Sequence, residues 1–113
     1  MKPIVLAILI GIFSTPVSAH SKLASTVPAD GAVVSLAPEV LSLRFAKAIR
    51  LVRVDMTHKG QPAAALDLGQ QTGFVTEFSV PVPDRGDGQY LIEWRGLGVD
   101  GHAMQGTIRF QVK

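Results

Sequence analysis

From Leu23 onward the chain alternates apolar and polar residues with a period of two, the pattern of strands that bury one face and wet the other. Leu41-Ser42-Leu43-Arg44-Phe45 and Val52-Arg53-Val54-Asp55-Met56 read as two such strands, with Val52, Val54 and Met56 facing inward in the second. Phe74, Phe78 and Val80 alternate with Val75, Glu77 and Ser79, while Tyr90, Ile92 and Trp94 alternate with Leu91, Glu93 and Arg95. The last segment sets Ile108, Phe110 and Val112 against Thr107, Arg109 and Gln111. Short strands are expected around residues 23–26 and 33–35. Turn signals separate the runs: Pro28-Ala29-Asp30-Gly31, Lys59-Gly60, residues 83–88 and Asp100-Gly101. Residues 61–71, rich in alanine and glycine, read as loop or a single helical turn. Helical periodicity is almost absent. About seven short strands in under a hundred residues predict an all-β, seven-stranded Greek-key sandwich of immunoglobulin-like or cupredoxin-like type. Its core should hold Leu43, Val54, Phe78, Trp94 and Phe110, with Trp94 near the centre.

The segment before these strands has a different pattern. Lys2 precedes an apolar run from Ile4 to Phe13, and Val17-Ser18-Ala19 supplies small residues for a cleavage site. The run is about half the length a membrane-spanning helix needs, and Pro16 follows it. Residues 1–19 are therefore expected to be a secretory signal peptide cut after Ala19. Residues 20–113 would form one domain, without internal repeat or linker. The predicted location is the periplasm, with no stable membrane insertion after cleavage.

Composition narrows the chemistry. The chain of 113 residues contains no cysteine, which excludes disulfides, thiol catalysis and Cys-type zinc sites. After cleavage ten basic and nine acidic side chains remain, a formal charge of +1, and the basic residues are dispersed along the chain. Nucleic acid is not an expected partner. The serines stand in no nucleophile-elbow motif and no phosphate-cradling glycine loop occurs, so no catalytic residue is assigned.

Three histidines remain, at 20, 58 and 102. Cleavage after Ala19 would free the α-amine of His20 beside its own imidazole, and the two can chelate one metal. With a second imidazole they offer three nitrogens in a T, a set suited to the tetragonal preference of Cu(II). Asp100-Gly101-His102 supplies the other donors: residues two apart in an extended segment point to one side, and the carboxylate offsets metal charge. The predicted metal ligands are His20, Asp100 and His102, with one Cu(II) per chain. The same Asp-Gly-His taken alone would read as a hairpin turn followed by a solvated histidine. His58, leading into Lys59-Gly60, reads as an exposed turn histidine. Met56 has core parity and only Met104 accompanies it after cleavage, so no thioether site for Cu(I) is expected.

Four stretches together resemble the CopC family of periplasmic copper-binding proteins: His20, Thr26-Val27-Pro28-Ala29-Asp30-Gly31-Ala32, Leu41-Ser42-Leu43-Arg44-Phe45, and Tyr90-Leu91-Ile92-Glu93-Trp94-Arg95 leading through Asp100-Gly101-His102 to Gly106-Thr107-Ile108-Arg109-Phe110. The resemblance implies Cu(II) bound by the amine and side chain of His20 and by His102, with Asp100 at or near the ion. It also implies a non-enzymatic carrier or buffer in copper homeostasis and resistance, alongside a CopD-type inner-membrane protein. Three departures stand out. Residues 56–73 hold one methionine where some members have a methionine-rich loop. Ala46 and Lys47 follow Phe45 where some have an acidic residue. Ala103 takes a position often held by proline. The competing readings are a copper monooxygenase built on the same histidine brace and a metal-free secreted sandwich module.

Overall fold

The computed structural model describes residues 23–70 and 73–113. Seven strands and no helix occur among them: β1 Leu23–Val27, β2 Ala32–Val34, β3 Val40–His58, β4 Ala64–Ala65, β5 Val75–Pro81, β6 Gly88–Gly98 and β7 Ala103–Val112. The strand order is β1-β3-β6-β7-β2, with β4 and β5 also pairing with β3. The fold is the all-β sandwich that the alternation implies.

The two strands expected at 41–45 and 52–56 are one continuous strand, because no breaker separates them. Residues 40–45 of β3 pair with β1 on one side and β5 on the other, while residues 49–58 pair with β6. One strand thus serves both layers, and the chain's apolar stripe continues through it as Leu41, Leu43, Phe45, Ile49, Leu51, Val54 and Met56, all buried.

That stripe changes phase once. The β3–β6 register passes from Leu51↔Gly96 to Arg53↔Arg95, so two steps along β3 match one along β6. Such a bulge turns consecutive side chains to the same face. Val52, expected inward, is therefore 55% exposed beside Arg53, and Leu51 takes the core position. Phe74 also departs from expectation: it lies ahead of β5 and is 46% exposed, while Phe78, Val80 and Val82 supply the buried face.

The expected core is otherwise in place. Leu43, Val54, Phe78, Trp94 and Phe110 are all buried, and Phe45 meets Trp94 and Phe78 edge-on with ring centroids 5.0 and 5.7 Å apart. Trp94 lies opposite Gly106 on β7. A Cβ at 106 would come within 2.6 Å of the indole Nε1, so glycine is what allows the ring to lie across the neighbouring strand.

Two loops are stitched to the sheets by single residues. Asp30 Oδ1 accepts the Arg109 N–H at 2.8 Å, and the Gly31 N–H donates to the Arg109 carbonyl at 2.6 Å. This clamp leads β2 into parallel pairing with β7, while the other strand pairs are antiparallel. In the loop before β6, the Tyr90 hydroxyl donates to the Gly86 carbonyl at 2.6 Å and accepts the Arg85 N–H at 3.0 Å. Residues 61–70 form no helical turn. Ala64–Ala65 pairs with Met56 and Asp55, and Leu66 is carried into the core.

Candidate metal site

β6 and β7 form a ten-pair antiparallel hairpin from Gly88↔Val112 to Leu97↔Ala103. Its tip is a three-residue loop, 99–101. The Gly101 N–H donates to the Gly98 carbonyl at 3.0 Å, and the Gly98 N–H donates to the His102 carbonyl at 2.9 Å. Gly101 has φ +84°, the left-handed conformation that closes a three-residue hairpin loop and that glycine adopts without steric cost. Asp100 and Gly101 thus form the turn that the sequence signals, with His102 directly after it.

The turn brings the Asp100 and His102 side chains together. The Nδ1 of His102 lies 2.7 Å from Asp100 Oδ2, and the His102 backbone N–H donates to Asp100 Oδ1 at 3.1 Å. Both carboxylate oxygens are therefore engaged by one residue. Gly98 leaves the space this needs, since a Cβ there would stand 2.9 Å from Asp100 Oδ1 and 2.8 Å from Met104 Cε. The bond to the His102 ring, then that to its backbone N–H, hold the Asp100 carboxyl below its ordinary pKa.

An ionised carboxylate only accepts hydrogen bonds, so the bond assigns the proton of a neutral His102 ring to Nδ1 and leaves the lone pair at Nε2. The imidazole is mostly open to solvent, with 82% of its side-chain surface exposed, against 59% for Asp100. A carboxylate fixing the tautomer and ring orientation of an exposed imidazole is the usual outer-shell arrangement at metal-binding histidines.

Of the three expected ligands the structure brings two together. The third, His20, lies outside the described residues, as do residues 1–19. Among the described residues, no group of three His, Asp or Glu side chains converges. The register places the start of β1. Leu23 pairs with Phe45, and four residues further along β3, Ile49 pairs with Gly98 at the base of the Asp100 loop. Because β1 and β3 are antiparallel, Leu23 is the residue of β1 nearest to the part of β3 that pairs with Gly98.

His58 is the last residue of β3, at the strand end its sequence context indicates, but it is half-buried and not exposed. Its Nε2 lies 2.8 Å from the Asp87 carbonyl and its ring packs 4.6 Å from that of Tyr90. It is a structural histidine that joins the ends of two loops. Met56 is buried and Met104 half-buried.

The model of the CopC domain matches residues 23–113. The chain belongs to the CopC family. Among curated relatives, Protein YobA of Escherichia coli strain K12 and of Shigella flexneri are each 31% identical over 113 residues, covering 96% of this chain and 91% of the relative. Among solved structures, CopC from Methylosinus trichosporium OB3b superposes with a TM-score of 0.70 at 22% identity, over 83% of this chain and 94% of that one. PcoC from Escherichia coli, described as a methionine-rich copper resistance protein, superposes with a TM-score of 0.59 at 26% identity, over 83% and 99%. Asp100 and His102 both lie inside the matched CopC domain.

Proposed function

We propose that this CopC-family protein binds one Cu(II) ion per chain in the periplasm and acts as a carrier or buffer in copper homeostasis and resistance. The proposed ligands are the α-amine and imidazole of His20, freed by cleavage of the signal peptide after Ala19, and the imidazole of His102, with Asp100 at or beside the ion. The observation that carries this reading is the Asp100–His102 pair, an exposed imidazole oriented by a carboxylate at a hairpin tip. Two facts support it. The relative PcoC is described as a copper resistance protein, and Leu23 is the residue of β1 nearest to the Ile49↔Gly98 pair at the base of the Asp100 loop.

The geometry favours a division of labour between the two residues. With both oxygens of Asp100 engaged by His102, the carboxylate's first role is to orient the ring and offset the charge of the ion. His102 then contributes Nε2. A CopD-type inner-membrane protein is the proposed recipient of the copper. A non-enzymatic role is favoured over a brace monooxygenase because Trp94 and Tyr90 are buried and offer no aromatic surface on which a polysaccharide could stack.

The test is a Cu(II) titration of protein beginning at His20, read by electron paramagnetic resonance, beside the same protein with one extra N-terminal residue. A one-to-one tetragonal nitrogen signal that is lost on extension is expected. Weak binding indifferent to the extension would overturn the proposal.

A further inference from the structure

The bulge that turns Val52 outward opens a groove on the solvent face of the sheet, directly beside the metal-site hairpin. Its volume is about 550 Å³, and Val52, Leu97, Ala103 and Met104 form its apolar walls. Gly96 forms the floor. A Cβ there would stand 2.9 Å from both the Arg50 carbonyl and the buried Ile49 Cδ1, on the core side of the sheet, so close packing against β3 keeps the residue glycine. Arg95 and Gln105, a cross-strand pair, border one end. The other end runs to the Leu97↔Ala103 pair, one residue from His102.

The charged side chain that lines this groove is basic, and Glu93, two residues from Arg95 on the same exposed face of β6, lies outside the lining. Arg95 lines it, and Arg50 is paired across the strand with Leu97. Both are exposed, whereas Arg53 is neutralised by Asp55 through bonds of 3.0 and 2.8 Å. No acidic side chain lines the groove. Exposed aliphatic side chains scattered singly need no explanation, but here they are contiguous, recessed and flanked by unneutralised cations. A recess receives a protruding side chain, a shape that suits a protein segment better than the flat surface of a bilayer.

We propose that this groove is the docking site of the protein that exchanges metal with this chain, and that the docking segment carries an apolar side chain flanked by carboxylates. The apolar side chain enters between Val52 and Leu97, and the carboxylates meet Arg95 and Arg50. The inference rests on the metal-carrier reading above and adds the partner's chemistry to it. Docking one residue from His102 would hold the partner's own ligands close enough for direct transfer, so the ion need not be released to solvent.

The test uses metal-free protein beginning at His20 and a capped peptide, Asp-Leu-Phe-Asp, titrated with amide chemical shifts as the readout. The expected result is saturable movement of the Gly96, Leu97, Ala103 and Gln105 amides, weakened about fivefold or more in R95E and by added salt. V52D, altered at an exposed position, should abolish it. The Asn-Leu-Phe-Asn peptide should bind more weakly than the acidic one. The proposal is overturned if these amides do not move, or if R95E binds as well as the native chain. It is equally overturned if the same amides shift with protein concentration alone, which would mean a second copy occupies the groove. Sedimentation with vesicles of phosphatidylglycerol that is lost in R95E and V52D would assign the face to a lipid surface instead. Because the peptide is read without metal, failure here is distinguishable from failure of the copper titration.

Discussion

His102 is held by Asp100 through two bonds at once, ring Nδ1 to Oδ2 at 2.7 Å and backbone N–H to Oδ1 at 3.1 Å. A side chain exposed over most of its surface is thereby given one orientation and one tautomer before any ion arrives. Without that constraint an exposed imidazole would lose rotamer freedom on binding, at a cost of a few tenths to about 1 kcal/mol.

On this basis His102→Ala should weaken Cu(II) binding more than Asp100→Ala. The first removes a nitrogen ligand and the second removes an orienting carboxylate, an effect of about 10–100-fold. A competition titration against a chelator of known affinity measures both. The reverse order would assign the carboxylate as the principal ligand.

The same pair predicts a pH dependence. The folded pKa of Asp100 lies below the ordinary value of 3.8. The sign follows: the pair's contribution to stability is fully present above that value and is lost as pH falls through the lower, folded pKa. Carboxyl carbon shifts in metal-free protein should place the Asp100 midpoint below 3.8, and His102→Ala should move it upward.

Gly106→Ala should destabilise the fold by about 1–3 kcal/mol, the range for an overpacked core. The added Cβ would stand 2.6 Å from Nε1 of Trp94, whose ring packs edge-on against Phe45. Urea unfolding followed by Trp94 fluorescence reports the change. Gly101→Ala meets no neighbour within 4 Å and should cost only the strain of its positive φ, about 1 kcal/mol.

Tyr90→Phe should remove about 1–2 kcal/mol of stability, because it leaves the Gly86 carbonyl and the Arg85 N–H without their shared partner. Amide exchange at Arg85 should accelerate, while copper binding at the opposite end of β6 stays unchanged.

Much of this was legible in the alternation of side chains. The period-two stripes of residues 41–45, 90–94 and 108–112 named the buried faces correctly, because burying one face of a pleated strand leaves no other arrangement for them. The pattern failed where the backbone left regular geometry. Nothing in Leu51-Val52-Arg53 marks a bulge, and both valine and leucine suit either face, so alternation alone points Val52 inward. Phe74 departs from the pattern for a related reason: alternation does not show where a strand begins, and β5 starts at Val75. Asp30 carried a turn signal, yet its partner Arg109 lies 79 residues away, and no local rule reveals such a contact.

For the site, residue type and spacing were enough to single out Asp100 and His102, since donor chemistry resides in the side chains themselves. Their mutual bond came from the tertiary structure. The hairpin supplied the turn, Gly101 supplied the positive φ, and Gly98 left room for the carboxylate. The groove beside them also belongs to the tertiary structure alone, because it depends on a one-residue mismatch between β3 and β6. Sequence by itself determined the fold class and singled out candidate donors, which depend on local periodicity and side-chain chemistry. Which donors meet, and what surface surrounds them, was decided by strand register, a long-range property that one residue of slip reverses.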